Sequence, residues 1–308
     1  MKWTREEMPS LEGQTWVVTG ANSGLGLETA KALAAKGALV VMACRDPKRA
    51  EAAADEVRRV APNARLELET LDLASLKSIE DFAAKMAKAY PVLDGLINNA
   101  GIMAIPRRTT ADGFEMQLGT NHLGHYALSM RLLPLLEAAK APRLISVAST
   151  AHKFGTMNFD DLMGEKSYKP WAAYGQSKLA NLLFIYELNR KLAAAGKKTV
   201  AAAAHPGYAA TNLQGVGSKM DGGSKLEGWF MDLGNAIMAQ PAHMGALPTL
   251  YAATVSDVKG GEYFGPGGFM EMGGYPRRCD SNAKSKDVES AKKLWEVSEQ
   301  LTGVRFPA

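Results

Sequence analysis

Short runs rich in Val, Ile, Leu and Thr alternate with longer Ala-, Leu-, Lys- and Glu-rich stretches from Gln14 to Ala204, and a chain with that rhythm has few ways to fold. Parallel strands cannot be joined by tight turns, so each crossover carries a helix over one face of the sheet. The pattern predicts strands over 14–19, 39–43, 65–70, 94–97, 143–148 and 199–204. Helices are predicted over 24–36, 47–60, 75–89, 113–139 and 171–195, the first ended by Gly37. The expected class is α/β, a doubly wound and mostly parallel single sheet of about seven strands with helices on both faces.

Composition excludes other classes. With 46% hydrophobic and 22% charged residues the chain is globular. Its 36 Lys and Arg against 32 Asp and Glu, a formal net charge of +4, are spread along the sequence and give no argument for a nucleic-acid partner. No stretch approaches the ~18 uncharged apolar residues of a membrane span. The opening MKWTREEMPSLEG lacks the layout of a secretory signal, so a cytoplasmic location is expected. Cys44 and Cys279 are not repeated at short spacing, and neither a disulfide framework nor a metal is expected. There is no Gly-x-Ser-x-Gly for a serine hydrolase and no Gly-x-x-x-x-Gly-Lys for a P-loop triphosphatase.

Gly20, Asn22, Ser23, Gly24, Leu25 and Gly26 fall between the first predicted strand and the first predicted helix. There backbone N–H groups and the positive end of a helix face a pyrophosphate. Gly20 permits the tight turn, Gly24 the approach of the phosphates, and Gly26 the close packing of helix on strand. This is the phosphate loop of a Rossmann fold, with Gly-x-x-x-Gly-x-Gly in place of the general Gly-x-Gly-x-x-Gly. At the end of the second strand a carboxylate would select NAD and a cation NADP. Cys44-Arg45-Asp46 offers both, but Arg49 lies one helical turn beyond Arg45, and a guanidinium pair suits a dianionic phosphate. The expected cofactor is NADP, with Asp46 also placed to cap the following helix ahead of Pro47.

Tyr174 and Lys178, spaced i to i+4, share one face of the long helix. A free phenol titrates near pH 10, so acid–base work at neutral pH needs a neighbouring cation, which Lys178 would supply. Ser149 closes the fifth strand at the carboxyl edge where open α/β sheets hold ligands, and Asn121 lies in the helix before it. These residues, with the glycine loop, Asp72, Asn98 to Gly101, and Pro206-Gly207 with Thr211, occur in order. The chain resembles a short-chain dehydrogenase/reductase over nearly its whole length.

The resemblance implies a role for each. Tyr174 would protonate the carbonyl oxygen, Ser149 would hydrogen-bond it, and Lys178 would lower the Tyr pKa and hold the nicotinamide ribose. Asn121 would hold a relay water. Asp72 and Leu73 would meet the adenine, Asn99, Ala100 and Gly101 would line the cofactor with Pro206 and Gly207, and Thr211 would contact the nicotinamide amide or phosphates. The finer matches NHLGH, MACR and AYGQSKLAN resemble the branch holding retinol-dehydrogenase-like enzymes and light-dependent protochlorophyllide reductases, and Ser149 and Tyr174 stand 25 positions apart as in that branch. A departure is Ala148, where many relatives carry another Ser. The membrane-anchoring start of many retinol dehydrogenases is missing, as is the long insertion ahead of Tyr174 associated with the pigment reductases.

The expected activity is NADP(H)-dependent interconversion of a carbonyl and an alcohol on a hydrophobic small molecule. A non-catalytic NADP-binding sensor, a light-dependent reductase and an epimerase on a nucleotide sugar are the alternatives. The chain is read as one domain over 1–308, with the dinucleotide-binding and catalytic core over 11–211, a substrate lid over 212–259 and a strand and tail over 260–308. The lid rests on Met220, Trp229, Phe230, Met231 and Met238 among several glycines. His122 and His125 are read as helix-packing residues, His152 as a loop cover near the pocket and His205 as structural. Leu294, Trp295, Val297 and Leu301 form a stripe that packs on the body or meets a second subunit; relatives form homodimers through the helices holding Asn121 and Tyr174.

Overall fold

The structure, a computed structural model, describes residues 2–208 and 240–307. Thr211 and the Met- and Trp-rich part of the expected lid lie outside the described residues. The first strands fall close to the runs read from the sequence: β1 is Thr15–Thr19, β2 Leu39–Cys44, β3 Arg65–Thr70 and β4 Gly95–Asn98. β5 is Arg143–Val147, β6 Val200–Ala204, β7 Tyr263–Pro266 and β8 Pro276–Cys279. They form one sheet in the order β3-β2-β1-β4-β5-β6-β7-β8, parallel up to β7. The eighth strand is a departure from the seven expected. The glycines at 267, 268, 273 and 274 fold the tail back, and β8 pairs antiparallel with β7.

The crossovers carry α1 (Gly24–Ala35), α2 (Pro47–Val60), α3 (Leu76–Ala89), α4 (Gly124–Ala138) and α5 (Pro170–Ala194). Later come α6 (Leu247–Thr254) and α7 (Val288–Thr302). Alternation along each strand divides the apolar residues between two cores. Val18, Val40 and Met42 meet α1, α2 and α6 on one face, while Val17, Val41 and Leu96 meet α3, α4 and α5 on the other. At one edge β3 shows Arg65, Glu67 and Thr70 to solvent, which discourages pairing with another chain.

Two expectations are corrected. The helix read over 113–139 begins only at Gly124. Gly113 sits at φ 84°, Thr109 bridges Glu115, and a short turn (Met116–Leu118) passes through a π turn (Gly119–Leu123) before α4. The Glu115 carboxylate is spent capping that turn, accepting from the Gln117 and Leu118 amides. The lid boundary also moves. Within 240–259, Leu247, Leu250, Ala252 and Ala253 are buried against the sheet on α6, because their apolar spacing supplies a core face.

The C-terminal stripe packs on the body. Trp295 stacks on Phe184 of α5 at 5.9 Å and meets Tyr126 of α4 edge-on at 5.2 Å, and Ser298 hydrogen-bonds His122 at 2.8 Å. α7 therefore lies across the α4–α5 face that the resemblance assigns to a homodimer. Trp295 is 3% exposed. Its replacement by Ala should destabilise the fold by about 3–5 kcal/mol, read as a lowered urea midpoint.

Candidate active site

The carboxyl ends of β1 to β6 open on one edge of the sheet, and the loops that follow them carry every expected loop residue among those described. β1 and β4 are paired with Val18 opposite Ile97, which brings the glycine loop beside Asn99 and Ala100. The buried Thr19 hydroxyl accepts from both their amides at 2.9 Å, and the Asn99 side chain donates to the Thr19 carbonyl at 2.8 Å. Gly20 turns the chain at φ 65°, where a Cβ would stand 3.0 Å from Ala100. A Cβ on Gly26 would run into the Gly20 carbonyl and the Asn99 amide.

The outer part of the loop suits a phosphate. Asn22, Ser23, Gly24 and Leu25 are half-buried, and Ser23 occupies the N-cap of α1 without making a side-chain capping bond. Amides of the first turn of α1, which have no partner within the helix, are available to an anion. The residues present thus fit a dinucleotide. After β2, Asp46 spends its carboxylate capping α2, accepting from Lys48 N at 3.0 Å and Arg49 N at 3.2 Å, while Arg45 and Arg49 are exposed beside it. After β3, the Asp72 carboxylate accepts from Ala74 N at 2.9 Å and Leu73 is buried in the core on the α3–α4–α5 face. After β6, Pro206 and Gly207 are half-buried, with the Pro206 carbonyl accepting from Gln240 at 2.6 Å.

The four expected catalytic residues are brought together. Tyr174 and Lys178 sit on the first turns of α5, and Ser149 caps the short turn after β5 with its hydroxyl on Ala151 N at 3.2 Å. Asn121 lies in the π turn. Its amide donates to the Ile102 carbonyl and to Ser177 Oγ, both at 2.9 Å, and its Oδ1 accepts from Ile102 N at 2.9 Å. One side chain therefore clamps the loop after β4 onto α5. Gly101 faces Asn121 and Lys178, and its missing Cβ, which would lie 3.6 Å from Lys178 Nζ, keeps that approach open.

Burial sets the proton affinities here. It pushes the Tyr174 phenol up to about 12, and the Ser149 hydroxyl pulls the other way as a hydrogen-bonding partner. It pulls Lys178 down to about 8. The expected lowering of the phenol by Lys178 is not what the protein alone does. Nζ lies 5.8 Å from the phenol ring centre and donates to the Val147 carbonyl at 2.9 Å, so desolvation of both groups outweighs their attraction.

Two histidines do more than the sequence indicates. His152 is buried, with Nδ1 at 2.6 Å from the Ser149 carbonyl, so it braces the loop that presents the Ser149 hydroxyl. His125 joins Thr19 to Asn121. Its i to i+4 spacing from Asn121 was the available signal, but the partner from β1 is 106 positions away in the chain. Ligand atoms of His205, Glu271 and Cys279 also converge, within 4.8 Å of one another. That group does not fit a metal. His205 Nδ1 accepts from Gly207 N at 3.2 Å, so the neutral ring carries its proton on Nε2, facing Glu271 at 3.4 Å. Lys153 already balances that carboxylate at 3.2 Å, and burial pushes the Cys279 thiol up to about 11.

A family model described as short chain dehydrogenase matches residues 14–221. The chain is 39% identical over 305 residues to human retinol dehydrogenase 13, which covers 97% of this chain and 87% of that protein. It is 40% identical over 309 residues to human retinol dehydrogenase 14, with 96% and 88% covered. A crystal structure of a protein from Mycobacterium paratuberculosis matches with a TM-score of 0.82 and 42% identity over 100% of both chains. The chain belongs to the short-chain dehydrogenase/reductase family, in its retinol-dehydrogenase-like branch. It is an oxidoreductase of a family that binds a nicotinamide cofactor. Gly26→Ala should cost it at least about tenfold in dinucleotide affinity, the cost of displacing one or two hydrogen-bonded groups of the cradle. Calorimetric titration checks this.

Proposed function

We propose that the chain is an NADP(H)-dependent oxidoreductase that interconverts a carbonyl and an alcohol on a hydrophobic small molecule. The observation that carries this reading is the buried Tyr174 phenol, partnered by Ser149 and set beside the glycine cradle. Arg45 and Arg49, exposed next to a carboxylate already spent on capping, support the extra phosphate of NADP over the ribose hydroxyls of NAD. Trp171 lies edge-on to Tyr174 at 6.2 Å, and Phe154 packs beside Gly175. Both are largely exposed, which supports an apolar substrate entering over Tyr174.

The glycine loop, Asn99 to Gly101 and Pro206-Gly207 would hold the nucleotide, and Thr211 is proposed with them. The nicotinamide, when bound, supplies or takes the hydride. Ser149 Oγ and the Tyr174 hydroxyl both hydrogen-bond the substrate oxygen, and during reduction Tyr174 gives up its proton to it. With its pKa at about 12 the phenol is protonated at neutral pH and ready to donate. Lys178 is charged below about 8 and favours the phenolate left behind. Asn121 keeps the loop after β4 and α5 in register around them. The free thiols of Cys44 and Cys279 are compatible with a proposed cytoplasmic setting.

Tyr174→Phe should lower carbonyl reduction by at least about a hundredfold, the usual contribution of a positioned proton donor; unchanged turnover of accepted ketones or aldehydes would sink the proposal. The pH profile follows from the two shifts. For reduction, kcat/KM should fall as pH rises through about 8, where Lys178 loses its charge, and Lys178→Met should remove that limb. Replacing Arg45 and Arg49 with Ala should raise KM for NADPH by about tenfold or more and leave that for NADH nearly unchanged. A higher catalytic efficiency with NADH in the parent protein would overturn the cofactor assignment.

A further inference from the structure

His125 is 3% exposed and has a partner at each ring nitrogen. Nδ1 lies 3.0 Å from the Asn121 main-chain oxygen, and a carbonyl can only accept, so Nδ1 carries the proton. Burial holds the ring neutral at pH 7, with its pKa pulled down to about 4. Nε2 therefore has a lone pair, and at 2.9 Å it accepts the Thr19 hydroxyl proton. The Ile97 carbonyl, at 3.3 Å, is the longer alternative for that proton. The Thr19 oxygen then accepts from the Asn99 and Ala100 amides, both at 2.9 Å.

The chain of bonds runs in one direction, from the Asn99 and Ala100 amides through the Thr19 hydroxyl and the imidazole to the Asn121 carbonyl. It crosses from the cradle to the π turn, where Gly124 N reaches back to Gly119 O and the helix ladder is widened. The Asn121 side chain at that end and Lys178 Nζ both border Gly101, 3.2 and 3.6 Å from where its Cβ would stand. Asn121 itself has no spare side-chain group, since its amide is committed to Ile102 and Ser177. Nothing in this network is left unpaired, and such a network transmits a shift at one end to the other.

Resting on the function proposed above, we propose that His125 is a positioning residue that couples the nucleotide cradle to the Asn121–Lys178 pair through the Thr19 hydroxyl. The coupling has two separable halves. Asn at this position keeps a donor where Nδ1 stands and gives up Thr19. Gln reaches the place of Nε2 and gives up the Asn121 carbonyl.

The test compares His125→Asn and His125→Gln in the full-length protein, reading the NADPH dissociation constant by fluorescence titration and kcat at saturating nucleotide. His125→Asn should lose mainly affinity and His125→Gln mainly turnover, each by about tenfold, the scale of one hydrogen bond. The alkaline limb assigned to Lys178 should move in His125→Gln. Thr19→Val should reproduce the affinity loss of His125→Asn. Equal losses of both quantities in both variants, or no loss in either, would overturn the coupling. Should a variant fail to fold, the ring-nitrogen NMR spectrum of the parent protein decides: a proton on Nε2 in place of Nδ1 ends the proposal. Absence of carbonyl turnover in the parent protein would count against the proposed function, whereas the affinity losses and the tautomer test the coupling without turnover.

Discussion

The parallel pairing of β1 with β4 is the contact on which the site depends. It sets Val18 beside Ile97 and so brings the end of β1 against the start of the loop after β4. From that register the Thr19 hydroxyl can take two amides of the neighbouring loop, and the glycine turn can pass close enough to Ala100 that no Cβ fits between. A slip of one residue would turn Thr19 to the other face of the sheet and leave those buried amides without a partner. Trp16 covers Gly95 in the same pairing, so the apolar fit and the polar cradle specify one register together.

Desolvation is the second constraint, and it decides how the site handles protons. Tyr174 and Lys178 are both removed from water, which raises one and lowers the other, and the ammonium spends a hydrogen bond on Val147 rather than on the phenol oxygen. The protein thus keeps a neutral donor in place at physiological pH. Forming the phenolate, as alcohol oxidation would require under the proposed function, works against burial. Asn121 and Ser177 tie the π turn to α5, the helix that carries both groups, so the arrangement is held stiffly around them.

The alternation of apolar runs was legible because each strand and helix announces itself within about a dozen residues. The first three helices begin and end close to where their caps and glycines predict, and the long helix α5 is displaced by one residue. Legibility failed where the structure is made by distant partners. The helix read over 113–139 is broken ahead of α4 by the Thr109–Glu115 bridge, the Glu115 cap and the π turn over Gly119–Leu123. Likewise α6 falls within the lid expected from the Met- and aromatic-rich glycine stretch before it, yet the sheet beneath turns its apolar residues into core. β8 needs β7 to exist, since Arg277 and Arg278 in its middle have no intrinsic preference for a strand.

The sequence by itself determined the doubly wound class, the place of the glycine loop between β1 and α1, and the family, because these depend on residue type and short spacing. Tertiary structure alone decided that burial governs the phenol more than Lys178 does, and that α7 covers the α4–α5 face. It also decided that His125 reads both the cradle and the π turn. The physical reason is common to these: proton affinity, packing and hydrogen bonding follow from what surrounds a group and how much water reaches it. Those surroundings come from segments that can lie 176 positions away in the chain, which local pattern does not encode.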